Sequence, residues 1–269
     1  MAKRQTEWND TKFKKYQKQG RGKGEFKDYK PWLLIQDFPS MGRVTRLLGW
    51  TTKRMHSFFS DIETRCFYIF DWNQKIIDIR EHYPLLEMED VIKDKNGINF
   101  NMFKDKETGC PYVITTTFLL TIENKKGEKK LIARSVKSAT ELGKRTAMEK
   151  LEIERRYWKN KGVNWGIITQ KDIDMEKVKN IEWLHSSLHN YADFDLTEKD
   201  MVSLCSKFLE DAENSIKAMR VFAKDFDIGN ALKAGTGVFI FKYLVAARII
   251  ELNMDKPIDL NATYIELIN

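Results

Sequence analysis

"YVITTTFLLTIENKKGEKKLIARSVKSA", residues 112–139, alternates apolar and polar residues on either side of a Lys- and Gly-containing turn. That pattern predicts two antiparallel strands closed at "ENKKGE". Side chains alternate along a strand, so Ala133, Ser135 and Lys137 are expected on one face and Ile132, Arg134 and Val136 on the other. Thr115, Thr117 and Leu119 share a face by the same rule. If both sets line one edge of the sheet, a carboxylate such as Glu63 on a packed helix can reach the same place. Carboxylates and a lysine gathered there would hold divalent ions, activate water and stabilise charge on a phosphate. Each residue also has a plain structural reading. Lys137 suits an edge strand that must resist aggregation.

The elements around the hairpin place it in a mixed α/β domain. Upstream, "SFFSDIETRCFYIFDW" spaces Phe59, Ile62, Cys66, Phe67 and Phe70 three and four apart, as in an amphipathic helix. In "SDIE", Ser60 and Glu63 have the spacing of a capping box, the structural alternative for Glu63. "KIIDIREHYPLL" is a short β-branched strand stopped by Pro84, and residues 88–110 read as a polar loop with short elements. Downstream, "ATELGKRTAMEKLEIERRYWKN" is a long helix whose row Ala147, Leu151, Glu154 and Trp158 faces inward. Glu154 has i, i+4 partners available, but an unpaired carboxylate in that row would be costly. "VNWGIIT" is a compact apolar strand.

Charge divides the chain more sharply than its net +7 suggests. Residues 1–60 carry 14 Lys/Arg against 5 Asp/Glu, whereas residues 173–269 carry 11 against 16. Residues 1–30 read as a basic, largely irregular arm with a helical turn or two. Lys14, Lys15, Lys18, Arg21 and Lys23 there, with Arg43 and Arg46 beyond, interleave with aromatic residues as a phosphate-binding surface does. The acidic end is expected to dock a basic protein surface and to add little to DNA affinity. No apolar run approaches the ~20 residues of a membrane span, and no signal-peptide core follows the N-terminus. The expected setting is the bacterial cytoplasm, on DNA. Cys66, Cys110 and Cys205 form no CxxC pair and read as free thiols.

Past residue 170 the chain turns helical. "MEKVKNIEWLHSSL", "EKDMVSLCSKFLEDA" and "SIKAMRVFAKDF" predict successive helices. "GNALKAG" predicts a further short one, and "GVFIFKYLVAARIIEL" a buried apolar one. "IIELNMDKPIDL" reads as a two-strand wing turning at Asn253 to Pro257, which makes the whole winged-helix-like. The expected domains are residues 1–30 (arm), 31–170 (nuclease-like) and 171–269 (interaction).

"GRGKGEFKDYKPWLLIQDFPSMGR", "SDIE", "DIREHYPLL", "SVKSA", "EKLEIERRYW" and "NIEWL" resemble TnsA, the endonuclease subunit of heteromeric transposases of the Tn-seven type. The resemblance runs from about residue 20 to residue 184. It implies a restriction-endonuclease-like α/β fold followed by an α-rich, winged-helix-like domain. It also implies a Mg²⁺-dependent nuclease that nicks double-stranded DNA at the 5′ transposon ends. The partners implied are an integrase-type transposase, which cuts and joins the 3′ ends, and an AAA+ ATPase regulator. By the same resemblance Glu63 and Lys137 match catalytic positions, while Thr117 takes the place of a metal-binding aspartate: the family's "TDFL" is here "TTFL". Ser135 falls on a residue usually Gln in the family, and Glu154 on an acidic helix position. Glu63, Thr117, Ser135 and Glu154 are thus the candidate metal set. A neutral hydroxyl is a weak Mg²⁺ ligand, so cleavage by this chain is expected to be impaired. An introduced change, a natural loss or a substitute acid would each account for Thr117, and Glu123, six residues away toward the turn, is poorly placed to substitute. The alternative function is a non-cleaving subunit that binds ends and bridges transposase to regulator.

Overall fold

The computed structural model describes residues 7–37 and 44–268. Two compact units divide between Ile173 and Asp174. In the first, β3 (Ile76–Pro84), β4 (Thr115–Glu123), β5 (Lys129–Val136) and β6 (Asn164–Ile168) form a sheet in that order, with antiparallel pairing except for the parallel β5–β6 edge. The hairpin of the opening sequence is therefore β4–β5, closing through Glu123 opposite Lys129.

Helix α2 (Asp61–Trp72) starts where the Ser60 side chain accepts the Glu63 amide. It buries Cys66 and Phe67, and Phe70 meets Phe118 of β4 edge-on at 5.2 Å. Helix α4 (Arg145–Asn160) covers a second cluster in which Ile153, Tyr157 and Trp158 pack with Leu85, Leu119 and Ala133. Of the inward row expected from the sequence, Leu151, Glu154 and Trp158 are buried and Ala147 is half-buried. Short elements α3 (Met88–Val91) and a 3-10 turn at Phe100–Phe103 interrupt the loop before the hairpin.

One small hairpin was not legible in the sequence: β1 (Thr45–Leu48) pairs with β2 (Met55–Phe58). Asp71 of α2 holds its turn by accepting the Trp50 and Thr51 amides at 2.8 and 2.9 Å. His56 of β2 lies 2.8 Å from Glu81 of β3, and Arg54 reaches the same carboxylate.

From residue 7 the N-terminal segment is folded into this unit. Helix α1 (Asp10–Lys18) is capped by Asn9, and Trp8, Tyr16 and Trp32 form an aromatic cluster with Phe13. Of the aromatic residues expected to face DNA, Trp8, Tyr16, Tyr29 and Trp32 are buried core residues, Phe13 is half-buried and Phe26 is exposed. Arg21 is likewise corrected. It is 4% exposed, pairs with Asp37 at 2.5 Å, donates to the Trp32 carbonyl and stacks on Tyr16 at 3.6 Å. Its guanidinium is spent on internal partners. Gly22 (φ +75°) lets the backbone press against Pro84, whose Cγ would lie 2.3 Å from an added Cβ.

In the second unit α8 (Thr236–Ala246) packs against α5 (Met175–His185), α6 (Glu198–Glu213) and α7 (Met219–Gly229). Phe239, Ile240, Phe241, Leu244 and Val245 are all buried, as expected of a structural helix. "GNALKAG" is a turn after α7 and not a separate helix. Asp227 accepts the Gly235 and Gly237 amides at 2.8 and 2.6 Å, and a Cβ at Gly237 would lie 2.4 Å from the Ala223 carbonyl, so glycine sets the close α7–α8 approach. The wing strands expected around Asn253–Pro257 do not form. Asn180 of α5 donates instead to the Met254 and Lys256 carbonyls at 3.0 and 2.7 Å, taking acceptors that a wing ladder would use. A short α9 (Tyr264–Ile268) ends the described chain. Among the described residues no helix is long and apolar enough to cross a membrane.

Glu81 dictates an acid response. Burial opposes its charge, but the attraction of His56 and Arg54 prevails and holds the carboxyl well below the usual range. A depressed folded-state pKa adds stability above the unfolded value of ~4.3, and that stability is lost as pH falls from there toward the folded pKa. Glu81→Ala should lower stability at neutral pH by about 3–5 kcal/mol, because it strands a buried Arg54. The loss should shrink below pH 4 in urea melts. A pH-independent loss would show that packing, not charge, is what Glu81 supplies.

Candidate active site

The last turn of the β4–β5 ladder departs from simple alternation. Phe118 points toward α2 and β2, where it meets Phe70 and Phe58, and Leu119 packs with the α4 cluster. Thr116 should by alternation side with Phe118, yet its hydroxyl donates to Glu154 Oε2 of α4 at 2.8 Å. The break falls at Thr117, just past the Phe118–Arg134 pair where the ladder ends. Thr116 thus occupies the α4 side, which the sequence pattern assigns to Thr117.

Glu154 collects this end of the sheet. It is 1% exposed, and Ser135 of β5 donates to the same Oε2. The indoles of Trp158 and Trp165 in turn donate to the Thr116 and Ser135 hydroxyls at 2.7 and 2.9 Å. Burial raises the Glu154 carboxyl above its ordinary range, against the pull of Lys150 and the two hydroxyls. Ser135 and Glu154, both in the candidate metal set, are therefore bound to one another and to the surrounding frame.

Thr117 is half-buried, and its Oγ1 accepts the Val136 amide at 3.0 Å. Lys137 follows β5, with its amide held by the Ile168 carbonyl at 3.0 Å. Glu63 sits in the first turn of α2. Its Oε2 accepts the Phe59 amide at 2.8 Å, one residue before the Ser60 amide that a capping box would use. The helix-cap geometry expected as the alternative is thus present in shifted form. Glu123 lies at the turn end of β4, opposite Lys129, at about 3.3 Å per residue some 20 Å along the strand from Thr117.

Sequence reasoning missed Lys150. It stands one helical turn before Glu154 on α4 and is half-buried, and burial pushes its ammonium below the ordinary lysine range. Its charge feels Glu154, Lys137, Glu63 and Glu141, which places it among the candidate residues. Its only sequence signal, an i, i+4 spacing to Glu154, is shared by other charged pairs on the same helix and did not single it out. Glu141 in turn accepts the Ser138 amide at 3.0 Å beside Lys137, and that bond, with the nearby lysines, holds its carboxyl low.

As a Mg²⁺ site the donor set falls short. Among the described residues no three His, Cys, Asp or Glu side chains converge to hold a metal. Glu154 and Ser135 are engaged with each other, Thr117 offers one neutral oxygen, and Glu63 caps its helix. Mg²⁺ favours anionic oxygens in strict octahedral geometry. A second cation, Lys150, further opposes it.

Of the basic residues assigned to DNA, Lys14, Lys15, Lys18, Lys23 and Arg46 are exposed, Arg21 is not, and Arg43 lies outside the described residues.

Comparison with known proteins addresses the same regions. Residues 73–170 match the family model described as TnsA-like endonuclease N terminal, and residues 172–254 the one described as TnsA endonuclease C terminal. The chain is 33% identical over 264 residues to the Transposon Tn7 transposition protein TnsA of Escherichia coli, covering 97% of this chain and 92% of that protein.

If Glu154 and Lys150 neutralise one another, their substitutions will not add. Glu154→Ala should cost about 3–5 kcal/mol by leaving Lys150 uncompensated. Adding Lys150→Met should recover about 0.5–3 kcal/mol of that loss. Additive denaturant midpoints would show that the two charges do not interact.

Proposed function

Because the chain belongs to the TnsA endonuclease family of Tn7-type transposition, we propose that it acts at transposon ends as the subunit assigned to 5′-strand nicking, with its own cleavage impaired. The observation that carries the reading is Thr117. At the hairpin position where the family's aspartate would supply an anionic oxygen, this chain has a hydroxyl that already accepts a backbone amide.

The rest of the constellation keeps its chemistry. Lys137 supplies a cation beside the hairpin end, suited to charge developing on a phosphate. Glu63 supplies a carboxylate in the first turn of α2, and its cap bond to Phe59 fixes where it points. In hydrolysis by this fold class a divalent ion supplies an activated water and stabilises the leaving oxygen. The residues present do not complete its coordination, so end binding and assembly are expected to outlast cutting. The exposed lysines of α1, with Lys23 and Arg46, would hold the duplex through its phosphates. Working partners in this reading are an integrase-type transposase for the 3′ strand and an AAA+ regulator, in the bacterial cytoplasm.

Thr117→Asp should raise Mg²⁺-dependent 5′-nicking by at least about tenfold, since metal-site ligand changes commonly act on that scale or above. The assay contains end DNA, transposase and regulator, with products resolved by strand. Calorimetric titration of Mg²⁺ should show binding to the variant and none to the parent. Glu63→Gln in the Thr117→Asp background should then abolish nicking while leaving the helix cap intact, because glutamine also serves there. Equal nicking rates before and after Thr117→Asp would refute impairment at this position and favour a bridging subunit or a substitute acid.

A further inference from the structure

A cavity of about 260 Å³ opens on the first unit between the start of α1, the segment around α3 and the loop leading into β4. Its floor and walls are apolar, with Trp8, Phe13, Leu86 and Tyr112 among them, and Tyr112 is 42% exposed. Its charged lining consists of Asp10, Glu87, Glu89 and Asp90, all exposed, with no lysine or arginine. This is an acidic mouth on a chain of net charge +7.

The wall is built in advance. Asp105 accepts the amides of Trp8, Glu107 and Thr108 and the Tyr112 hydroxyl, and the Trp8 indole donates to the Pro111 carbonyl at 2.8 Å. The Thr108 hydroxyl closes the loop by donating to the Trp8 carbonyl. Trp8 is thereby held in place without an occupant.

We infer that this cavity docks a basic peptide segment of a partner protein, one large apolar side chain entering it while flanking Lys or Arg residues meet the four carboxylates. Charge decides the class of partner: four carboxylates repel a phosphate backbone and attract a cationic peptide. Size decides the anchor, because the volume is below the roughly 300–1,000 Å³ of small-molecule sites and suits one side chain. A segment of this kind is read as an apolar anchor in a desolvated pocket with a charged rim. The inference stands whether or not the hairpin cleaves DNA.

Cys110 provides a reporter. It lines the cavity with Sγ 3.6 Å from Asp10 Oδ1, whereas Cys66 and Cys205 are buried. The full chain would be treated with a neutral maleimide, and the alkylation rate of Cys110 measured by peptide mass analysis. The additions are a synthetic nonapeptide with a central tryptophan flanked by lysines and arginines, the same peptide with serine at the centre, and the same peptide with glutamates as flanks. The basic tryptophan peptide should slow alkylation at least about fivefold, and E87K/E89K should weaken its half-maximal concentration about tenfold, a factor equal to 1.4 kcal/mol. Both substituted positions are exposed, so the melting temperature should hold. Equal protection by the acidic-flanked or serine peptide, or none at millimolar basic peptide, would overturn the inference. So would sedimentation showing that Cys110 is covered by a second copy of this chain.

Discussion

A single buried carboxylate, Glu154, fixes the end of the sheet where the candidate site lies. Its Oε2 takes hydroxyl protons from Thr116 and Ser135, and the two tryptophans behind those hydroxyls complete the set. Four elements are tied by it: β4, β5, α4 and β6. A buried charge is tolerated only when hydrogen-bonded and countered, and here the hydroxyls do the first and Lys150 the second. Thr117 and Lys137 adjoin that lattice, held by the Val136 amide and the Ile168 carbonyl respectively. Glu154, which falls on an acidic helix position of the family, is thus, in this arrangement, part of the frame beside the more exposed Glu63, Thr117 and Lys137.

The same distinction runs through the N-terminal motif. "GRGKGEFKDYKPW" looks like a nucleic-acid segment because it is basic, glycine-rich and aromatic. Its residues serve the fold: Gly22 admits Pro84, Arg21 closes on Asp37, and the Tyr29 hydroxyl donates to the Glu81 carbonyl at 3.0 Å. The Phe26 amide similarly donates to Asp78 of β3. A motif can mark a family through its scaffold as strongly as through its chemistry. Lys14, Lys15 and Lys18 on α1 remain exposed, and Arg21 does not.

Much of the fold was legible because its periods are clean. The β4–β5 hairpin, the strand ending at Pro84, and the amphipathic α2 and α4 each follow a period of 2 or 3.6, and the structure places them where the sequence does. The β1–β2 hairpin escaped because its four-residue strands are too short to display a period, and its turn is held from outside by Asp71. The missing wing has a similar cause. Local sequence offered a turn at Asn253 to Pro257, but a distant side chain, Asn180, claimed the carbonyls. At the sheet end, alternation missed the break at Thr117, since hydrogen bonds to Glu154 from another element leave no trace in the strand's own residues. Lys150 went unread because a lysine on a charged helix looks solvated until its neighbours are known.

The order in which the sheet closes has a consequence for biosynthesis. Strands β4 and β5 join through a turn that Asn124 stabilises by accepting the Lys126 and Glu128 amides, so their pairing is local and fast. Strand β6 pairs with β5 only after the 27 residues between Val136 and Asn164, including α4, have been made and folded back. Until then β5 is an open edge, and the hydroxyl of Ser135 has neither Glu154 nor Trp165. On the ribosome, the hairpin emerges well before its lid. A chain released early would carry the β4–β5 hairpin yet none of the buried frame, so the network around Glu154 is complete only once translation has passed Ile168.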